Sequence, residues 1–262
     1  MDFNEQNLQS LLLGKDVGDP LYLFRETGST NAVARKLAEA GAPGGAVVIA
    51  DSQTKGRGRL RDREWHSPPG LNLYTSIILR PALDAVLIPP LTLVAGVAVA
   101  ELFSHYCPGR IALKWPNDVL INGRKACGIL AEAKTAGKKA LFVILGIGLN
   151  INMTKEALAP HLRESATSLR EETGADLSRL KVTLELYEQV GKFYEMFLHE
   201  GFGCIRDLWH EYAGISGREM EAACREEIFR GRAAGVDETG ALILIDGDGK
   251  ARRVIAGDVL PL

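Results

Sequence analysis

The apolar run over residues 87–103, LIPPLTLVAGVAVAELF, constrains the fold of this chain more than any other stretch. It carries two prolines near its start and Glu101 near its end. It is also shorter than the ~20 residues that a membrane span needs. Proline suits the first turn of a helix, where its missing N–H is not required. We therefore predict a buried helix that begins near Pro90 and lies inside a protein core.

The composition is that of an ordinary globular protein, with 46% hydrophobic and 24% charged residues among 262. A formal net charge of −2 gives no overall attraction to nucleic acid or to anionic lipid, so any basic function must be local. The four cysteines have neither C-x-x-C nor zinc-ligand spacing, and the polar N-terminus does not resemble a signal peptide. We expect reduced thiols, no membrane partner and a cytoplasmic location.

Hydrophobic periodicity and turn residues predict an α+β core followed by a small all-β domain. The predicted elements are a helix from Ser29 or Thr30 to Gly41, strands over 46–51 and 71–79, a hairpin turning at Asn122-Gly123, a strand buried on both faces over 139–152, and a helix over 177–198 ended by Gly201 and Gly203. After about residue 215, short strand-like runs alternate with Gly-Asp turns. We place the two domains at residues 1–215 and 216–262.

A basic, glycine-containing stretch, QTKGRGRLRDREW, follows the first predicted strand. Gly56 and Gly58 allow the backbone to approach a ligand closely. Arg57 and Arg59 are one residue apart, so two guanidinium groups can close on one carboxylate or phosphate. Trp65 offers a flat apolar face for a base. The alternative is a solvated surface turn that is rich in arginine.

The segment KWPNDVLINGRKACGI contains a second group of candidate residues. Pro116 disfavours helix at the residue before it, so Asn117 and Asp118 should lie in a tight turn between strands. Asp118 can hold Mg²⁺ or a hydrated phosphate, and Asn117 can anchor a phosphate or a sugar. Lys125 opens the return strand and can point back at the same anion. The alternatives are an ordinary turn and a solvated strand lysine.

A third group is the helix start GSTNAVA, where Ser29, Thr30 and Asn31 can hydrogen-bond a neutral polar head group. The alternative is plain capping of the helix. The fragment GIGLN, which ends at Asn150, lacks the last glycine of a dinucleotide fingerprint, and a tight turn explains it equally well. The chain contains no P-loop, no G-x-S-x-G, no H-E-x-x-H and no protein-kinase signature set.

Taken together, in this order and spacing, these motifs resemble the catalytic core of the biotin–protein ligases. The resemblance rests on STN, on Q-x-x-G-R-G-R with a following Trp, on KWPND with a lysine eleven residues after its first lysine, and on GIL, GIGLN and ATSL. It covers nearly the whole chain. It implies an α+β fold with a mixed β-sheet and flanking helices, like that of class II aminoacyl-tRNA synthetases, followed by a small SH3-like β-barrel.

The resemblance also implies a reaction. Members of the family join biotin to ATP, forming biotinyl-5′-AMP and pyrophosphate, and a lysine of a carrier protein then attacks the adenylate. ATP, Mg²⁺ and biotin would be the ligands. The partner would be the biotin carboxyl carrier protein of acetyl-CoA carboxylase or of a related carboxylase.

Site residues are implied by the same resemblance. The catalytic residues would be Arg59 and Lys125, and the metal ligand would be Asp118. The ligand-binding residues would be Ser29, Thr30, Asn31 and Gln53 at the biotin head, Gly56, Arg57, Gly58 and Arg59 in the lid, Trp65 on adenine, Asn117, Asp118 and Asn150 at ATP and Mg²⁺, Lys125 at the carboxylate–phosphate junction, and Gly128 of GIL.

Two departures from the family pattern bear on these expectations. The loop has one extra residue before Trp65 and lacks a third glycine. Only about twenty-five residues precede GST, too few for the N-terminal helix-turn-helix domain of repressor members, so we expect no direct DNA binding. The resemblance is compatible with a homodimer formed through a sheet edge. The main rival is a lipoate– or octanoate–protein ligase or transferase of the related fold.

Overall fold

A computed structural model describes residues 5–60, 64–224 and 227–262. The described residues form a seven-stranded and a five-stranded sheet together with six α-helices and two short 3-10 helices. The α-helices are α1 (Glu5–Leu12), α2 (Thr30–Glu39), α3 (Pro90–Tyr106), α4 (Leu169–Thr173), α5 (Arg179–Glu200) and α6 (Gly203–Ala213). The strands of the larger sheet are β1 (Leu21–Thr27), β2 (Val47–Gln53), β3 (Leu73–Leu79), β4 (Ile111–Lys114), β5 (Asp118–Ile121), β6 (Arg124–Ala136) and β7 (Lys139–Leu149).

The larger sheet is mixed. Its strand order is β1-β2-β3-β7-β6-β5-β4, with β1 parallel to β2 and every other neighbouring pair antiparallel. Successive side chains of a strand point to opposite faces. In β7, Ile144 packs with α2 residues on one face, while Val143 belongs to the main core on the other. The predicted strand buried on both faces is thereby confirmed.

The helix predicted from the apolar run is α3, which begins at Pro90 as expected and lies in the main core. It packs against α5 and the sheet, and Leu102 and Phe103 are fully buried. Among the described residues, the segment Ala85–Tyr106 is long and apolar enough to cross a membrane by length and composition. Because 72% of its most apolar window is buried within the protein, we identify it as a core helix.

The hairpin predicted at Asn122-Gly123 is confirmed as the turn between β5 and β6. Both residues have positive φ, 50° at Asn122 and 77° at Gly123, the combination that a tight two-residue hairpin turn requires. The turn carries the chain back so that Lys125 lies opposite Leu120. A register shift between Val119 and Leu120 follows directly, where a bulge changes the pairing.

The helix predicted over 177–198 is α5, and Gly201 follows its end with φ of 79°. The expectation for Gly203 is wrong, because Gly203 begins α6. Helix α6 was not predicted from the sequence, although Ile205, Trp209 and Ala213 mark a buried face at helical spacing.

The five-stranded sheet forms the C-terminal domain. Its strands are β8 (Glu219–Cys224), β9 (Glu227–Val236), β10 (Leu242–Ile245), β11 (Ala251–Val254) and β12 (Asp258–Pro261), in the antiparallel order β11-β10-β9-β8-β12. The predicted boundary at 215/216 lies in the connection between α6 and β8. Buried Trp115 donates its indole N–H to the Gly240 carbonyl at 3.0 Å, which ties this domain to the core. The predicted fold class, a mixed sheet with helices followed by a small β domain, is confirmed.

Replacing Leu102 by Ala tests the central role of α3. Leu102 is 0% exposed, so we expect its loss to lower the free energy of unfolding by about 2–5 kcal/mol. The matched control is Leu13→Ala, at a leucine that is 70% exposed, where a change within about 0.5 kcal/mol is expected. Urea unfolding of the three proteins measures both values. Equal losses in the two variants would contradict the assignment of α3 to the core.

Candidate active site

A small cavity, partly open to solvent, lies where the start of α2, the loop after β2, and strands β6 and β7 meet. It brings together most of the residues predicted from sequence. Those that line it are Ser29, Thr30, Asn31, Gln53, Arg57, Gly58, Arg59, Trp65, Asn117, Lys125 and Gly128. Residues from both ends of the predicted site therefore share one space.

One end of the cavity is neutral and rich in hydrogen bonds. Gln53 Oε1 accepts from the Thr30 backbone N–H at 2.9 Å and from its hydroxyl at 3.2 Å. Gln53 Nε2 donates to Ser67 Oγ at 3.0 Å. Ser29 occupies the N-cap position of α2, yet its hydroxyl makes no capping hydrogen bond. The alternative of plain capping therefore does not account for Ser29, which lines the cavity.

The side-chain amide of Asn31 is held in one orientation. Its Nδ2 donates to the Leu130 carbonyl at 3.3 Å and to Glu132 Oε2 at 2.7 Å, and its Oδ1 accepts from Ser76 Oγ at 2.6 Å. A Cβ on Gly146 would stand 2.1 Å from this oxygen, so no side chain fits there. The absence of a side chain at Gly146 is therefore a condition for the position of Asn31.

Trp65 packs on two opposed glycines. Gly128 and Gly148 are directly paired across β6 and β7, and a Cβ on either would meet the indole at 2.8 Å and 2.5 Å. Lys125 Nζ lies 5.3 Å from the centre of the Trp65 ring. Within the described residues, the buried Trp65 Nε1 has no acceptor, so it is a donor that a bound ligand could satisfy.

The cations of the site already have partners. Lys125 Nζ lies 2.6 Å from Asp118 Oδ1, and an Arg57 nitrogen lies 3.3 Å from Glu132 Oε2. Arg59 reaches into the C-terminal domain, where it donates to the Gly257 carbonyl at 2.9 Å and pairs with Asp258. A ligand anion that enters the cavity would therefore compete with carboxylates for these groups.

Three predicted residues lie outside the cavity lining. Gly56 packs beneath the loop, where a Cβ would stand 2.5 Å from the Trp65 carbonyl. Asp118 does not line the cavity, but its carboxylate pairs with Lys125, which does. Asn150 is buried away from the cavity, because its Nδ2 donates to the Thr167 carbonyl at 2.9 Å and its Oδ1 accepts from Asn72 at 3.3 Å.

Arg61 and Arg63 of the basic stretch lie outside the described residues.

Sequence reasoning missed several residues at the cavity. These are Tyr74, Thr75, Ile129, Leu130, Gly146, Ile147 and Gly148, which line it, and Glu132, which holds two lining residues. The signal for the glycines was present in GIGLN. Tyr74 and Thr75 were assigned only to a strand, since alternation does not tell which face meets a ligand. Burial, the largest effect, raises the pKa of Tyr74 well above its usual range, so its hydroxyl stays protonated.

The described part of the chain contains no group of three or more His, Cys, Asp or Glu side chains that could hold a metal by themselves. Mg²⁺ is often bound through one or two carboxylates together with substrate phosphates. Asp118 fits that kind of site, because its carboxylate lies beside Lys125 at the cationic end of the cavity.

Two family descriptions match the chain: the Biotin/lipoate A/B protein ligase family over residues 23–150, and the Biotin protein ligase C terminal domain over residues 215–260. The bifunctional ligase/repressor BirA of Bacillus subtilis is 35% identical, over 98% of this chain and 78% of that protein. The chain belongs to the biotin protein ligase family.

Two further comparisons agree with the assignment of this chain to the biotin protein ligase family. The biotin--[acetyl-CoA-carboxylase] ligase of Mycobacterium tuberculosis is 33% identical, over 99% of this chain and 96% of that protein. The structure of biotin protein ligase from Aquifex aeolicus in complex with biotin and ATP matches with a TM-score of 0.78 and 28% identity, covering 93% of this chain and 99% of that chain. The chain is an enzyme of the ligase class.

Replacing Gly146 by Ala tests the geometry of the neutral end. The added Cβ would collide with Asn31 Oδ1, so we expect biotin binding to weaken by about 1–3 kcal/mol, roughly five- to 150-fold. Calorimetric titration with biotin measures the effect. Gly247→Ala is the matched control, because a Cβ there meets nothing within 4 Å. Equal affinities in the two variants would contradict the packing described for Asn31.

Proposed function

We propose that this ligase activates biotin with ATP to biotinyl-5′-AMP and transfers the biotinyl group to a lysine of a biotin carboxyl carrier protein. The carrier would belong to acetyl-CoA carboxylase or to a related carboxylase, as the name of the Mycobacterium tuberculosis relative suggests. The observation that carries the proposal is one cavity that is lined by uncharged hydrogen-bonding groups at one end and by Arg57, Arg59 and Lys125 at the other.

The neutral end suits the ureido head of biotin, which is uncharged and has both donors and an acceptor. We assign its recognition to Ser29, Thr30, Asn31 and Gln53. Gln53 and Asn31 are already held by other protein groups, so they present fixed dipoles to the ligand. Fixed partners lose little conformational freedom when a ligand binds.

The cationic end suits the junction at which the two anionic reactants meet. The biotin carboxylate attacks the α-phosphorus of ATP, a P–O bond forms, and pyrophosphate leaves. Carboxylate and phosphate repel each other, so cations that neutralise both lower the barrier. We assign this role to Arg59 and Lys125, with Arg57 and the backbone of Gly56 and Gly58 in the lid. A closed lid also keeps water from the mixed anhydride.

No protein nucleophile is needed in either step. In the second step the amine of the carrier lysine attacks the carbonyl carbon of biotinyl-5′-AMP, and AMP leaves. Burial raises the pKa of the Cys127 thiol, two residues from Lys125, so this sulfur stays protonated and unreactive.

The nucleotide half of the site is assigned by the same reasoning. Trp65 would stack on adenine, and Asn117 would contact the phosphates or the ribose. Asn117 Nδ2 donates to the Ile129 carbonyl at 3.0 Å, so its Oδ1 is the atom left for a ligand or a hydrated ion. Asn150 would act only indirectly, through the Thr167 backbone that it holds. When bound, Mg²⁺ would neutralise charge on the phosphates, and Asp118, whose carboxylate lies 2.6 Å from Lys125 Nζ, would be its protein ligand.

The proposal extends to the location, the DNA binding and the oligomeric state of the ligase. We expect the ligase to act in the cytoplasm. We expect no direct DNA binding by these residues, since the net charge is −2 and the sequence has one basic cluster. A homodimer through a sheet edge would use β1 or β4, the edge strands of the larger sheet. Cell fractionation, fluorescence anisotropy with duplex DNA, and light scattering would test the three in turn.

An assay of the reaction distinguishes biotin from lipoate and octanoate as the substrate. With biotin, ATP and Mg²⁺, the purified ligase should release pyrophosphate and label a biotin carrier domain, and excess EDTA should stop both. Lys125→Met should slow pyrophosphate release by ~10²-fold or more. Lys134→Met, on the same strand but at the exposed surface, should leave the rate within about twofold. Activation of lipoate or octanoate in place of biotin would overturn the proposal.

Arg59→Gly tests the lid. Losing a charged hydrogen-bond donor should shorten the time for which biotinyl-5′-AMP stays bound by about tenfold or more. Arg59→Lys keeps the charge but not the planar fork, so its value should fall between those of Arg59→Gly and the unchanged ligase. Release of radiolabelled adenylate from the preformed complex gives the rates. If all three proteins release it equally fast, Arg59 is not part of the lid.

A further inference from the structure

Residues 165–167, which overlap the ATSL motif, pair with β6 beyond the point where β7 ends. Strand β7 ends at Leu149, which lies opposite Cys127 on β6, so Lys125 extends two residues beyond the end of β7. There the Lys125 backbone N–H donates to the Ser165 carbonyl at 2.8 Å, and the Thr167 N–H donates to the Lys125 carbonyl at 2.9 Å. Residues 165–167 thus hold the backbone that carries the lysine.

A single buried carboxylate connects this segment to the hairpin. The Glu172 side chain is 3% exposed. Its oxygens accept from Asn122 Nδ2 at 2.7 Å, from an Arg124 nitrogen at 2.7 Å and from Thr167 Oγ1 at 2.8 Å, and an Arg110 nitrogen lies 3.6 Å away. One carboxylate therefore contacts the turn, the residue before Lys125 and the segment that pairs with Lys125.

The helix that carries Glu172 is itself fixed to the end of β7. The Leu169 N–H donates to the Asn150 carbonyl at 3.1 Å, and the Arg170 N–H donates to the Ile151 carbonyl at 2.8 Å. Ser168 caps α4, since its hydroxyl accepts from the Glu171 N–H at 3.1 Å and donates to the Met153 carbonyl at 2.6 Å. Glu172 is thus presented from a rigid support.

We propose that Glu172 is a positioning residue for Lys125, which rests on the role proposed above for that lysine. Burying a carboxylate is unfavourable unless it is paired, and here the partners Asn122, Arg124 and Thr167 all lie on segments that flank Lys125. The carboxylate locks the hairpin against α4, so that Lys125 Nζ is held where carboxylate and phosphate meet. Small displacements of a group at a reacting centre carry large rate penalties.

The experiment compares Glu172→Gln with Glu171→Gln, its exposed neighbour. Glu172→Gln keeps the shape but removes the carboxylate charge that faces Arg124 and Arg110. We expect pyrophosphate release to slow by about tenfold or more. Biotin affinity, measured by calorimetry, should change by less than about threefold, because Ser29, Thr30 and Gln53 lie on other elements. Glu171→Gln should match the unchanged ligase in both measurements.

A double-mutant cycle distinguishes positioning from general destabilisation. If Glu172 acts through Lys125, adding Glu172→Gln to Lys125→Met should slow the residual reaction by less than about twofold. Slowing by the full single-mutant factor in that background would overturn the proposal, as would loss of biotin affinity in step with the rate.

Thr167→Val decides the question if Glu172→Gln does not fold. It removes one hydroxyl donor to Glu172 and no charge. The rate should fall by about two- to fivefold with biotin affinity unchanged, and an unchanged rate would overturn the proposal. An unchanged ligase that fails to activate biotin would refute the proposed function instead, before any variant is compared.

Discussion

The site depends on a pair of strands that carry glycine where a side chain would fill the cavity. Gly128 and Gly148 are directly opposed across β6 and β7, and Gly146 lies two residues along the same face. A Cβ at any of the three would meet Trp65 or Asn31 at less than 3 Å. The positions of the Trp65 indole and of Asn31, which both line the cavity, therefore depend on the absence of side chains at these three glycines.

Each of the cations Arg57, Arg59 and Lys125 has a carboxylate partner within the protein. Glu132 pairs with Arg57, Asp118 pairs with Lys125, and Asp258 pairs with Arg59. A phosphate that enters the cavity would therefore exchange one anionic partner for another at each cation. The pairing of Arg59 with Asp258 also brings the C-terminal domain into contact with the basic loop after β2.

Much of the architecture follows from local pattern. The apolar run predicted α3, Asn122-Gly123 predicted the hairpin turn, and the unbroken run over 139–152 predicted a strand buried on both faces. These signals are strong because burial and positive φ restrict which residues can occupy such positions. The predictions failed where a local signal was ambiguous: Gly203 was interpreted as a helix end, yet it begins α6, since glycine is tolerated at either place.

The sequence by itself pointed to Arg57, Arg59, Asn117 and Lys125, which line the cavity, because GRGR, KWPND and the placed lysine are local motifs with defined spacing. Only the tertiary structure decided how these groups are held. Glu132 and Glu172 gave no sequence signal, since an acidic residue in a strand or a short helix is usually solvated. Their roles come from contacts between segments far apart in the chain, such as Glu172 with Asn122 and Thr167. Likewise Asn150, placed at ATP by its motif, is turned into the interior by its bonds to Asn72 and Thr167, a consequence of packing that no local pattern records.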